Sequence, residues 1–171
     1  MYWIRLAAGQ LLAQSRLCRV KALYDNAGHL SGYSKRRAWY AGVLIRLANV
    51  LTFDVYCLPE LEWIEWEIRI WNKIHSIKAQ VQQNTLITPP IRGQLLSSIL
   101  QSAEIEDAVK VNALGTALCA LRRAHQVDVG WPDGRVAPFS HGDAHVRNVF
   151  VDISNDTAVW FDFEIIHSTA M

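Results

Sequence analysis

The chain has 171 residues, 51% of them hydrophobic and 19% charged, which is enough to bury a core and too apolar for a disordered or collagen-like protein. Seventeen Lys and Arg against sixteen Asp and Glu leave a formal charge of +1, which argues against the strongly basic footprint of a general nucleic-acid binder. No stretch reaches the roughly 20 uncharged apolar residues that span a bilayer.

Residues 19–24, RVKALY, are short and apolar-rich and are followed by the turn-forming Asp25-Asn26-Ala27-Gly28, so they are expected to form a strand holding Lys21. From 35 to 51 the residues Trp39, Val43, Leu44, Leu47, Val50 and Leu51 recur at helical spacing. The basic start of that helix, Lys35-Arg36-Arg37, opposes the helix dipole, so those charges either face solvent or meet an anionic partner such as phosphate or lipid. Pro59 is suited to open a second helix running to about residue 75, with Glu60 and Glu62 at its positive end. Leu61, Ile64, Ile68 and Trp71 then share one face; Glu67 borders that stripe and Glu62 points away, making Glu67 the carboxylate best placed to reach inward.

Residues 80–93 lack helical periodicity and contain Pro89-Pro90, which reads as a crossover or hinge. Residues 94–101 and 104–126 are expected to be helical, the second with Ile105, Ala108, Leu114, Ala117, Leu118, Leu121 and His125 near one face. Gly130, Pro132 and Gly134 break that region. Short strand-like runs follow at 136–139, 147–153 and 157–163, the last two joined by Ser154-Asn155-Asp156 as a hairpin turn. Trp39, Trp63, Trp66 and Trp71 are expected to pack in a helix core, with a membrane-interface or ligand-stacking surface as the alternative.

Cys18, Cys57 and Cys119 are widely spaced and form no CxxC pair, so a reducing, cytoplasmic setting fits better than a disulfide framework or a zinc site. The apolar residues 6–13 are too few for a signal peptide. Charge is unevenly placed: residues 1–75 hold 10 basic and 6 acidic side chains, residues 76–171 hold 7 and 10. Beyond His125 there are seven carboxylates and only Arg135 and Arg147, a balance suited to a site that meets a cation.

The chemistry-bearing stretch is FSHGDAHVRNVFVDISNDTAVWFDFE, residues 139–164. Asp143 and Asn148 lie five apart on a loop leading into a strand, and Asp162 lies fourteen beyond Asn148 on the return strand. A hairpin of this length brings the three oxygen-bearing side chains to one edge, and hard oxygen ligands suit Mg²⁺, whose shell is completed by phosphate oxygens and water. His141 and His145 at i, i+4 lack further ligands at metal spacing, and no G-x-S-x-G or Ser-His-Asp order appears.

His141-Gly142-Asp143, four residues, Asn148, and then Asp162-Phe163-Glu164 resemble the H-[RG]-D-x-x-x-x-N and D-F-[GED] motifs of the kinase-like phosphotransferase superfamily. Within it the aminoglycoside phosphotransferase and choline kinase branch and the bacterial lipopolysaccharide-kinase-like proteins are the nearest in pattern. The resemblance implies an α+β, protein-kinase-like two-lobed fold, with a reduced amino-terminal lobe and hinge over residues 1–90 and an incomplete, helical carboxy-terminal lobe over 91–171. It implies ATP and Mg²⁺ as cofactors, and a hydroxyl of a small molecule or lipid-linked sugar as acceptor. It leaves peripheral contact with a membrane surface open. Asp143 would orient that hydroxyl and receive its proton, Asn148 and Asp162 would hold the metal, and His141, His145 and Glu164 would support them.

Lys21 and Glu67 are the implied ion pair that clamps the nucleotide phosphates, with Glu60 as the alternative carboxylate. Gly142 in place of arginine, and His145 where many serine/threonine kinases have lysine, point to small-molecule kinases. Arg147 replaces a common glycine and either touches acceptor or phosphate or lies on the surface. Two departures are larger. Gly9 is the only glycine before Lys21, so no G-x-G-x-x-G loop exists, and the chain stops seven residues after Glu164 where relatives continue. The resemblance is therefore to a truncated or minimal member, and the alternative is an inactive pseudokinase that binds nucleotide or scaffolds.

Overall fold

The computed structural model describes residues 11–14, 18–51, 55–163 and 165–167. They divide into two compact units, one made by the chain up to Pro90 together with His167, the other by Ile91–Ile166.

In the first unit the elements are β1 (Leu11–Gln14), β2 (Cys18–Tyr24), β3 (Leu30–Arg37), α1 (Ala41–Leu51), β4 (Val55–Cys57), α2 (Glu60–Ile74), β5 (Gln80–Gln82) and β6 (Thr85–Thr88). Five strands form an antiparallel sheet in the order β1-β2-β3-β6-β5. The β2–β3 hairpin is closed by the expected turn: the Asp25 carboxylate accepts the backbone N–H of Ala27 at 2.9 Å and of His29 at 2.8 Å, while Gly28 takes φ +81°, a region glycine enters without steric cost.

Two sequence expectations change here. Lys35-Arg36-Arg37 belong to β3, not to the start of a helix, and α1 begins at Ala41. The reason is pairing: β2 has seven residues, and the strand returning from its turn must run to Arg37 to match them, Cys18 lying opposite Arg37. The basic triplet thereby avoids the unfavourable helix end. Of the crossover or hinge expected at 80–93, residues 80–88 form a hairpin, β5–β6, turning at Gln83 and Asn84 with φ of +48° and +56°, and the division between the two units falls after Pro90. Both central residues are left-handed, as a type I′ turn requires, but neither is glycine, which is why the turn was hard to read.

Helix α2 lies against β5 and β6 and buries Trp63, Ile64, Trp66, Ile70 and Trp71. Pro59 sits at its amino-terminal cap. Asn72 fastens the helix to the following strand by accepting the Ala79 N–H at 2.7 Å.

The second unit holds β7 (Gln94–Leu95), α3 (Leu96–Gln101), α4 (Asp107–Ala124), β8 (Asp128–Gly130), β9 (Val136–Pro138), β10 (Val149–Asp152) and β11 (Thr157–Trp160); β12 (Ile165–His167) is the last described element. Its central sheet has the order β11-β10-β7 and is antiparallel. The β10–β11 hairpin packs on α4, where the Trp160 indole N–H donates to the Ala117 carbonyl at 2.9 Å and the Thr116 hydroxyl donates to the Asp156 carboxylate.

The face of α4 that meets the hairpin includes Ala117, as expected, but otherwise differs from the expected one. Ala113, Thr116, Ala117 and Ala124 are buried, whereas Val111, Leu114 and Leu118 are exposed. Small side chains permit the close approach of strand to helix, so size rather than hydrophobicity selects the buried stripe. No helix among the described residues is long and apolar enough to cross a membrane.

Gly93 is the tightest point of this unit. It has φ +99°, and a Cβ built there would lie 2.3 Å from the Val151 carbonyl oxygen in β10. Gly93→Ala is therefore expected to cost about 2–5 kcal/mol, from left-handed backbone plus overpacking. Gly28→Ala, whose Cβ would meet nothing within 4 Å, should cost about 1–2 kcal/mol. Urea unfolding of the two variants measures the difference; equal losses would show that the Val151 contact does not constrain the fold.

Candidate active site

In the first unit, alternation along β3 sends Arg36 and Lys35 to opposite faces, and Lys35 sits opposite Val20 in β2. Its Nζ donates to Glu67 Oε1 at 3.0 Å and to Oε2 at 3.1 Å. The side chains are 12% and 3% exposed, so the pair is largely withdrawn from water. The Lys35 ammonium also lies 5.3 Å from the centre of the Trp63 ring, one turn before Glu67 on α2. Beside it the Arg37 guanidinium stacks 4.6 Å over the same ring and donates to the Leu58 carbonyl.

Glu67 thus turns inward as the helical wheel implied, but its partner is Lys35 and not Lys21. Lys21 is exposed on β2, one residue further along and on the other face, opposite Ser34. The side chain of Glu60, the alternative carboxylate, lies outside the described residues, as do residues 1–10 and 15–17, including Gly9.

In the second unit, the loop before β10 carries the motif. Asn148 is buried, and its amide nitrogen donates to the Asp143 carbonyl at 2.9 Å and to Asp143 Oδ2 at 3.0 Å. That consumes both amide hydrogens and leaves Asn148 Oδ1 as the unspent acceptor. The Asn148 carbonyl accepts the Phe161 N–H at 3.0 Å, continuing the β10–β11 register in which Val149 faces Trp160. Asp162 follows directly, with φ +68°. A non-glycine residue in this region is uncommon and is held there by its surroundings.

His141 ties these pieces together. Its Nδ1 accepts the Asp143 backbone N–H at 3.2 Å, which leaves the proton on Nε2, 3.1 Å from the Phe161 carbonyl. One imidazole therefore bridges the loop at Asp143 and the strand end before Asp162. Its ring is boxed in by Phe139, Trp160 and Phe163. Burial pushes its pKa down to about 4, against the opposing pull of the Phe161 carbonyl and of the negative charges on Asp162 and Asp143. Both carboxylates are thus within electrostatic reach of the same ring. His125, whose pKa burial also lowers, accepts the His141 backbone N–H at 3.2 Å.

His145 has the same tautomer logic. Nδ1 accepts the Arg147 N–H at 3.0 Å, and Nε2 faces Asp143 Oδ2 at 3.5 Å. Arg147 is exposed, and Glu164 lies outside the described residues. Among the described residues no group of three or more His, Cys, Asp or Glu side chains is assembled as a metal centre; the donor set at this loop is one amide oxygen and carboxylates.

The His141 environment sets a pH dependence. The folded pKa is lowered, to about 4, against an ordinary value of about 6.5. The unfolded chain therefore takes up the proton first as pH falls. This contribution to stability is complete above about pH 6.5 and is lost between there and about pH 4, by about 3 kcal/mol. Chemical unfolding across that range should show His141→Gln with a shallower loss than the parent; an identical slope would place the titration elsewhere.

No family model matches the chain, and no curated protein matches it. Solved structures do. Among them is PpkA-294 in its apo form, a Ser/Thr protein kinase, similar over 93% of this chain and 61% of its own length, with a TM-score of 0.58 at 15% identity. The chain therefore spans about 61% of the length of that neighbour. A likeness of this kind at this identity speaks for architecture: the chain has a protein-kinase-like α+β fold.

Proposed function

We propose that the chain is a phosphotransferase of the small-molecule kinase type, which moves the γ-phosphoryl group of ATP to a hydroxyl of a small molecule or lipid-linked sugar. The observation that carries this reading is the Asp143–Asn148 couple, joined at 3.0 Å and braced through His141 to the strand end that presents Asp162. Gly142 and His145 favour the aminoglycoside phosphotransferase and choline kinase branch over protein kinases.

The residues fit a hard divalent cation. Asn148 Oδ1 has no hydrogen-bond partner among the described residues, its amide nitrogen being spent on Asp143, and the Asp162 carboxylate is a second oxygen donor; together they would hold Mg²⁺. Bound there, the ion supplies charge neutralisation for phosphate oxygens.

The chain's own residues supply alignment. Asp143 orients the acceptor hydroxyl and takes its proton as the acceptor oxygen bonds to the γ-phosphorus and the bond from that phosphorus to the bridging oxygen breaks, releasing ADP. Asn148 and His145 hold the Asp143 carboxylate in one orientation, so the acceptor meets a fixed base. Within the first unit, Lys35 fixed by Glu67 matches the strand lysine and helix glutamate of kinase folds, whose part there is to meet nucleotide phosphates.

The test is transfer of radiolabel from γ-labelled ATP, with Mg²⁺, to pooled hydroxyl acceptors and to water. Label should move with the parent chain and not with Asp143→Asn. Metal-dependent ATP binding with no transfer to any acceptor, nor to water, would instead assign the chain as a nucleotide-binding scaffold, a reading favoured by the missing glycine motif.

A further inference from the structure

Helix α1 is apolar on two sides. Ala41 and Ile45 are buried with Ala38. On the opposite side Val43 and Leu47, spaced by four, are 65% and 55% exposed, Leu44 beside them is exposed too, and Trp39, two residues before the helix, is 92% exposed. A helix with one apolar face on its own protein and a second facing water has a surface that another phase must cover.

The charges that precede that surface in the chain indicate the phase. Residues 26–53 contain no Asp or Glu. Arg36 lies three residues before Trp39 and directly opposite Arg19 across the β2–β3 ladder, and both are exposed. Neither has an ion-pair partner among the described residues. Like charges set face to face are unfavourable unless an anion lies between or above them. Lys21 stands on the same sheet face, two residues from Arg19.

We propose that Trp39 and the outer face of α1 dock the chain on an anionic phospholipid bilayer, the aliphatic side chains entering the interface and Arg19, Arg36 and Lys21 meeting lipid phosphates. An exposed tryptophan beside aliphatic residues suits the boundary between headgroup and acyl chain. A carboxylate-free basic flank suits the negative surface of a bilayer. The inference uses none of the residues assigned to phosphoryl transfer and stands or falls apart from that reading.

The test is flotation of the full chain with phosphatidylcholine vesicles and with mixed phosphatidylcholine–phosphatidylglycerol vesicles. The parent should bind the mixed vesicles at least about tenfold more tightly, with the preference weakening as salt rises. The triple variant Trp39→Ala, Val43→Ser, Leu47→Ser should lose about tenfold or more of that binding with its thermal unfolding midpoint kept. Should that variant fail to fold, the double variant Arg19→Gln, Arg36→Gln decides by abolishing the preference for anionic vesicles. Equal flotation on both vesicle types, or triple-variant binding like the parent's, overturns the proposal. So does sedimentation showing that the parent self-associates through this face and the triple variant does not.

Discussion

Replacing Asp143 with asparagine is expected to lower turnover by about 10²–10⁴-fold, the usual contribution of a positioned general base, while leaving nucleotide affinity nearly unchanged. The substitution removes the proton acceptor but little of the local geometry. An asparagine oxygen at this position can still accept from the Asn148 amide, now 3.0 Å from Asp143 Oδ2, and the backbone carbonyl that takes the second Asn148 hydrogen bond at 2.9 Å is untouched. The backbone N–H that His141 accepts is likewise retained. Single-turnover kinetics beside nucleotide titration separates the two effects. Loss of affinity in step with loss of rate, in a chain that remains folded, would mean that Asp143 acts on binding and not on the chemical step.

The second large effect is in stability. Lys35→Met would leave the Glu67 carboxylate, 3% exposed, without its ammonium partner, and breaking a buried pair in this way typically costs about 3–5 kcal/mol. Lys21→Met, at the exposed position the sequence favoured, should change stability by no more than about 0.5 kcal/mol. The double variant Lys35→Met, Glu67→Leu tests the cause, because replacing both charges by apolar groups of similar volume removes the buried carboxylate as well. It should recover most of the stability lost by Lys35→Met. A double variant as unstable as the single one would assign the loss to packing around Trp63 in place of charge.

The contrast between these two sites shows what a sequence makes legible. Asp143, Asn148 and the hairpin to Asp162 lie within 20 residues, and their relation is set by one loop and one tight turn, so spacing alone predicts their neighbourhood. Glu67 could be read as inward from the helical wheel, because that too is local. Its partner could not, since Lys35 reaches Glu67 across 32 residues and through a strand that the periodicity of residues 35–51 disguised as helix. A register shift by one residue changes the face of every side chain, and Lys21 lies just one pairing step from the position opposite Lys35.

Helix α4 failed for another reason. Leu114 and Leu118 were expected inside with Ala117, yet Ala113 and Thr116 are buried with Ala117 in their place, because the partner's approach distance, absent from a one-dimensional pattern, decides which face is buried. The tryptophans divide in the same spirit: Trp63, Trp66 and Trp71 pack in a core as expected, while Trp39 faces solvent. His141 is expected to brace the loop, and what only coordinates supply is the direction of its two side-chain hydrogen bonds, which fixes a neutral imidazole between Asp143 and the strand end.

The central claim is that Asn148 and Asp162 hold a divalent ion for a nucleotide. Its most direct test is calorimetric titration of ATP with and without Mg²⁺, on the parent and on Asp162→Asn, a substitution that keeps a residue tolerant of the left-handed backbone at φ +68°. ATP affinity is expected to depend on Mg²⁺ in the parent and to lose that dependence in the variant. Equal affinity with and without the metal in the parent, or an undiminished metal dependence in Asp162→Asn, would contradict it.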